Sequence, residues 1–109
     1  MSNTSQFSLD HDITMLVLNI APELEENLVD YLLTFEQVES FTSFRAYGHG
    51  EQHRLSVSEQ VSGRRKRTQY EILVDPDAIP LIIDGLAGAV GKDVVYWQQA
   101  ARSFGRVGA

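Results

Sequence analysis

Residues 13–20 (Ile-Thr-Met-Leu-Val-Leu-Asn-Ile) carry apolar side chains at both odd and even positions, which predicts a strand buried on both faces. Pro22 then stands where a first helical turn tolerates proline, and Glu23, Glu25 and Glu26 complement the positive end of a helix dipole. Leu24, Leu28, Tyr31, Leu32 and Phe35 recur on one helical face. Residues 41–48, aromatic and ended by Gly48 and Gly50, predict a second strand. A polar stretch without periodicity, residues 49–62, separates it from a third strand over 64–75, where Tyr70, Ile72 and Val74 alternate with polar neighbours. Asp77 is the expected cap of a second helix, with Pro80 in its first turn. Ile79, Ile82, Ile83, Leu86 and Val90 form its apolar stripe, and Gly91 is its expected left-handed stop. Val94, Val95, Tyr96 and Trp97 mark a fourth strand over 92–99. Residues 1–12 read as a disordered arm, and residues 100–109 as a loose C-terminal tail with room for one helical turn.

The order β-α-β-β-α-β is that of the split βαβ, or ferredoxin-like, sandwich: an α+β fold with a four-stranded antiparallel sheet and two helices on one face. Ile13, Met15 and Val17 point away from Leu16, Leu18 and Ile20. One layer of helices covers only one of these sets, so the other is expected to meet further copies of the chain.

With 109 residues, 43% of them hydrophobic, the chain fits one globular domain. It has no cysteine, which removes disulfides and thiolate chemistry. No apolar run is long enough to span a bilayer and the first residues carry acids instead of a basic leader, so direct membrane insertion is not expected and a cytoplasmic location is. The net charge of −6 is uneven: residues 1–44 hold eight acids and no Lys or Arg, whereas residues 45–109 hold nine basic side chains against seven acidic ones. The acidic half repels phosphate backbones and argues against nucleic acid as a partner.

Three features carry candidate chemistry. The connection over 49–62 has 14 residues, longer than a hairpin needs, and Ser56 to Glu59 has capping-box spacing for a short helix at 57–62. At its start His49, Glu51 and His53 project to one side of an extended chain, a nitrogen and oxygen set suited to a divalent metal, although without a third fixed ligand or a cysteine the simpler reading is a solvated polar loop that holds two histidines. At its end Arg64, Arg65, Lys66 and Arg67 hold four of the nine basic residues, with Arg65 and Arg67 on one strand face. They suit a phosphate or an acidic partner, and equally a charged strand end that guards a sheet edge.

Catalysis is not expected. No nucleophile elbow, P-loop or His-Glu-x-x-His motif occurs, and the triple Glu is better explained as a helix start. Acylphosphatases share this fold but need an Arg after the first strand, where this chain has Ala21-Pro22-Glu23. An RNA-recognition sheet needs stacking aromatics, and the first strand has none. Were there an enzyme here, Lys92 or His53 would be its first candidate groups.

The string Phe41-Thr42-Ser43-Phe44-Arg45-Ala46-Tyr47-Gly48-His49-Gly50, with Ser58-Glu59-Gln60-Val61-Ser62-Gly63-Arg64-Arg65-Lys66-Arg67, resembles a bacterial domain-of-unknown-function family of PII-like proteins over about residues 13–100. The resemblance implies a homotrimer of ferredoxin-like subunits, in which residues 49–62 take the place of the flexible T-loop. It implies adenine-nucleotide sites between subunits, at positions matched here by Gly48, Gly50, Gly91, Lys92, Arg102 and Arg106, with Arg64, Arg65 and Arg67 as further anion candidates. The T-loop's modifiable tyrosine is missing, since Tyr47 and Tyr70 fall on strands, and the glycine-rich turn before the last strand is reduced to Gly88-Ala89-Val90-Gly91-Lys92. Members of this family are encoded beside heavy-metal efflux systems, and divalent-cation tolerance proteins share the trimeric fold. The expectation is a small regulatory protein that binds an adenine nucleotide or a divalent metal and controls a partner such as a transport system. The alternative is a metal-binding accessory protein of heavy-metal resistance using His49, Glu51 and His53.

Overall fold

The computed structural model describes residues 12–49 and 65–108. Most of the arm expected before residue 13, and the connection with its short helix at 57–62, lie outside the described residues. The elements are β1 (Thr14–Ile20), a 3-10 turn (Pro22–Leu24) running into α1 (Glu25–Leu32), β2 (Val38–Gly48), β3 (Arg65–Val74), a second 3-10 turn (Pro76–Ala78) running into α2 (Ile79–Ala89), and β4 (Val94–Ala100). All strand pairs are antiparallel, in the order β2-β3-β1-β4.

The alternation along β1 decides which side each residue serves. Leu16, Leu18 and Ile20 join Tyr70, Ile72 and Val74 of β3 in a core closed by Leu28 and Leu32 of α1 and by Ile79, Ile82 and Leu86 of α2. Both helices therefore cover one sheet face, each fully buried Leu or Ile contributing about 1.5–3 kcal/mol relative to exposure. The opposite face carries Met15, Val17, Leu73, Phe44, Val95 and Trp97 among Asn19, Gln69 and Glu71. Val17 is buried by its own neighbours, whereas Phe44, Val95 and Trp97 remain 44%, 40% and 39% exposed. That face is a mixture of apolar and polar groups, less oily than the β1 sequence alone suggests.

Several boundaries differ from the sequence reading. The cap of the second helical segment is Asp75, not Asp77: its carboxylate accepts the Asp77 N–H at 3.0 Å, because Pro76 starts a 3-10 turn one residue earlier. β2 begins at Val38, since a bulge at Glu39 lets Val38 pair with Val74 and Ser40 with Leu73. Phe35 lies beyond α1 and packs edge-on against Tyr31, ring centres 5.1 Å apart. Residues 101–108 contain no helical turn. Gly91 does end α2: its N–H donates to the Leu86 carbonyl at 3.0 Å, and its φ of 151° is one that side chains rarely adopt.

The two helices meet through Tyr31, whose hydroxyl donates to the Ile82 carbonyl at 2.8 Å directly over Gly85. A Cβ at Gly85 would fall onto that hydroxyl, while one at Gly88, in the same helix, meets nothing within 4 Å. We expect Gly85→Ala to destabilise by about 1–2 kcal/mol, overpacking outweighing its better helix propensity, and Gly88→Ala to stabilise by about 0.5–1 kcal/mol. Urea unfolding of the two variants checks both signs.

Candidate functional site

β2 and β3 are longer than the strands beside them, with 11 and 10 residues against 7 in β1 and in β4. Ile20, the last residue of β1, pairs with Thr68, so residues 65–67 and their partners 46–48 run past the end of the central strand. The 3-10 turn and α1 begin at the same level. This overhang is where the connection between β2 and β3 leaves and rejoins the sheet.

On the helix-free side, the overhang is tied down by arginine. Arg67 Nε donates to Asn19 Oδ1 at 2.6 Å and Nη2 to the Asn19 carbonyl at 2.6 Å, while Nη1 donates to Asp93 Oδ1 at 2.9 Å. Arg65 Nη2 pairs with the other oxygen of the same carboxylate. The Asp93 carbonyl accepts in addition from Ala21 N–H and from Arg67 Nη2. Arg65 and Arg67 are only 6% and 3% exposed. A guanidinium this enclosed has to be met by acceptors, and its planar fork suits the two groups it bridges. The tie thus joins the hairpin end to the β1–α1 junction and to the turn before β4.

On the helix side, the overhang floors a cleft of about 350 Å³ lined by Pro22, Glu25, Arg45, Ala46, Tyr47, Lys66, Arg67 and Thr68. Thr68 Oγ1 donates to Glu25 Oε2 at 2.8 Å, and the Tyr70 hydroxyl lies 3.4 Å from Oε1. Burial, and next the negative charge of Glu25, push the Tyr70 phenol above its ordinary value, against a lowering contribution from Ser43. Burial and Asp84 push Tyr31 in the same direction.

The structure gathers some of the expected site residues and separates others. Gly48, Arg65 and Arg67 stand together, a Cβ at Gly48 meeting Arg67 Cγ at 3.4 Å, and Gly91 and Lys92 lead directly to Asp93. Arg65 and Arg67 share a face, as their spacing predicts, but they are engaged by Asp93 and Asn19. Arg102 lines a second cleft of about 300 Å³ with Pro76 and Phe104, at the opposite end of β4, and Arg106 lies on the exposed tail. Seven residues of strand, roughly 23 Å, separate that end from Asp93 within one chain. His49 is exposed at the end of β2, while Gly50, Glu51, His53 and Arg64 lie outside the described residues. Among the described residues no group of three or more His, Cys, Asp or Glu is placed to hold a metal, and no helix is long and apolar enough to cross a membrane. Sequence reasoning missed Asn19, Asp93, Glu25, Arg45 and Thr68. Asn19 was the readable signal: a polar side chain inside an apolar strand needs a partner.

Fold and site define an α+β protein with one antiparallel sheet and a polar cleft at the root of a long strand connection. The chain belongs to the family described as "Protein of unknown function (DUF3240)", which it matches over residues 11–108. Among solved structures it is similar to a DUF3240 family protein from Shewanella baltica OS155, at 18% identity and a TM-score of 0.71, over 88% of this chain and 97% of the other. It is also similar to a functionally unknown protein from Pediococcus pentosaceus ATCC 25745, at 11% identity and a TM-score of 0.57, over 87% and 97% of the two chains. At these identities the likeness is one of fold. No curated protein matches the chain.

Removing the carboxylate of the tie, Asp93→Ala, is expected to cost about 2–3 kcal/mol, less than a fully enclosed pair because the Asp93 side chain is 36% exposed. Arg67→Lys should cost a comparable amount, since an ammonium cannot bridge Asn19 and Asp93 together. Denaturant titration measures both. The tyrosines set an alkaline limit. Their folded pKa values lie above those of the unfolded chain, so their contribution is complete below pH 10 and is lost as pH rises past it, when the unfolded chain ionises first. Melting temperature should fall above pH 10, and Tyr70→Phe should make that fall shallower.

Proposed function

We propose that the protein is a small regulatory subunit of PII-like type, a ferredoxin-like domain that assembles as a trimer in the cytoplasm, binds a small ligand and controls a partner such as a transport system. The observation that carries this reading is the junction at the hairpin end. The root of the β2–β3 connection (Gly48, Arg65), the β1–α1 junction (Asn19, Ala21) and the turn before β4 (Asp93) are hydrogen-bonded into one unit beside a cleft. A ligand bound there alters the setting of the connection it adjoins, which is how a binding event reaches a partner. The element order, with β1 and β3 as neighbouring central strands, supports the ferredoxin-like assignment. The exposed Phe44, Val95 and Trp97 on the helix-free face support assembly through that face.

Light scattering tests the assembly: the reading expects three times the 12.2 kDa chain mass, reduced to one chain by Trp97→Arg, and a wild-type monomer contradicts it. A thermal-shift screen with ATP, ADP, zinc and copper tests the ligand, metals being included because His49 stands at the same junction. A ligand at ~100 times its dissociation constant stabilises the fold by roughly 2.7 kcal/mol. No shift with any of the four contradicts the adenine-nucleotide and metal readings.

A further inference from the structure

Among the charged side chains lining the cleft on the helix side, Arg45 and Glu25 are of opposite sign and do not touch. Arg45 and Thr68 are cross-strand partners, so their Cβ atoms lie about 5 Å apart on the same sheet face. Thr68 in turn holds Glu25 at 2.8 Å, so the Arg45 guanidinium and the Glu25 carboxylate project over the same floor. They form no ion pair with each other, and Arg45 makes no hydrogen bond or ion pair among the described residues. Glu25, by contrast, is fixed: it is half-buried, and the Thr68 and Tyr70 hydroxyls occupy only part of its acceptor capacity. Tyr47 offers a ring as a side wall.

We infer that this cleft is a site for a free amino acid, whose carboxylate is gripped by Arg45 and whose ammonium is held by Glu25. A guanidinium takes a carboxylate in bidentate fashion, and a carboxylate oriented by two hydroxyls is a fixed partner for an ammonium. The volume of about 350 Å³ falls at the small end of ligand pockets, in keeping with a compact molecule. With Arg45, Lys66 and Arg67 against Glu25, the lining carries more basic than acidic side chains, which favours an acidic amino acid over a basic one. Arg45, Glu25 and Thr68 all come from one chain, so the inference does not require the trimer or a site between subunits.

Calorimetric titration with three probes of similar length tests it: L-glutamate, glutarate, which lacks the ammonium, and 1,5-diaminopentane, which lacks carboxylates. L-glutamate should bind, and the other two at least tenfold more weakly. Glu25→Gln keeps an acceptor for Thr68 and should weaken L-glutamate at least tenfold while leaving glutarate unchanged or stronger. Arg45→Gln, on an exposed position, should weaken both L-glutamate and glutarate without lowering the melting temperature, and it carries the test should Glu25→Gln fail to fold. The inference is overturned if L-glutamate does not bind, if glutarate binds equally well, or if Arg45→Gln leaves L-glutamate affinity unchanged. Light scattering on the same variants separates failure of the cleft from failure of the assembly, since neither residue lies on the helix-free face.

Discussion

Two strands that outlast their neighbours organise this molecule. The central strand β1 ends at the level of Thr68 and α1 begins beside it at Glu25, while β2 and β3 continue. Past that level no apolar layer among the described residues covers the hairpin, and a two-stranded ribbon without such cover is marginal in water. Something other than hydrophobic burial has to hold it. Arg67 does so, by fastening β3 to Asn19 at the end of β1 and to Asp93 before β4. Among the described residues no helix lies above the helix-facing side chains Arg45, Tyr47, Lys66 and Thr68, and they line the cleft.

The two sides of the overhang therefore divide the work. One is closed, its arginines spent on internal partners and nearly out of contact with water. The other is open and carries the exposed Arg45 beside a carboxylate held by Thr68. The connection between β2 and β3 departs from between them, so a ligand in the open side and a disturbance of the closed side act on the same root. In the proposed reading, binding and conformational signalling are joined by this geometry.

The architecture was legible from periodicity. The alternation of Leu16, Leu18 and Ile20 against Met15 and Val17, and the stripe from Ile79 to Leu86, mark sheet and helix faces because burial enforces periods of 2 and 3.6. The shared face of Arg65 and Arg67 was legible for the same reason. What the arginines touch was not, because Asn19 and Asp93 are distant in sequence and become neighbours only through strand order. Glu25 was read as a helix-dipole residue, a local explanation that hid its contact with Thr68, 43 positions away. Asp77 was read as the cap since it precedes the apolar stripe, and only the turn geometry of Pro76 shows that Asp75 caps. Local signals carry such a reading well, and cross-strand partnerships escape it.

The dependence of the overhang on its electrostatic tie can be measured by native-state hydrogen exchange at the amides of residues 46–48 and 65–68. In the wild type, those that are hydrogen-bonded between the strands should be protected nearly as well as the β1 core. In Asp93→Asn the protection of these amides should fall selectively, with that of Leu16 and Leu18 retained. Rapid exchange of the hairpin end in the wild type, or undiminished protection in the variant, would contradict the account.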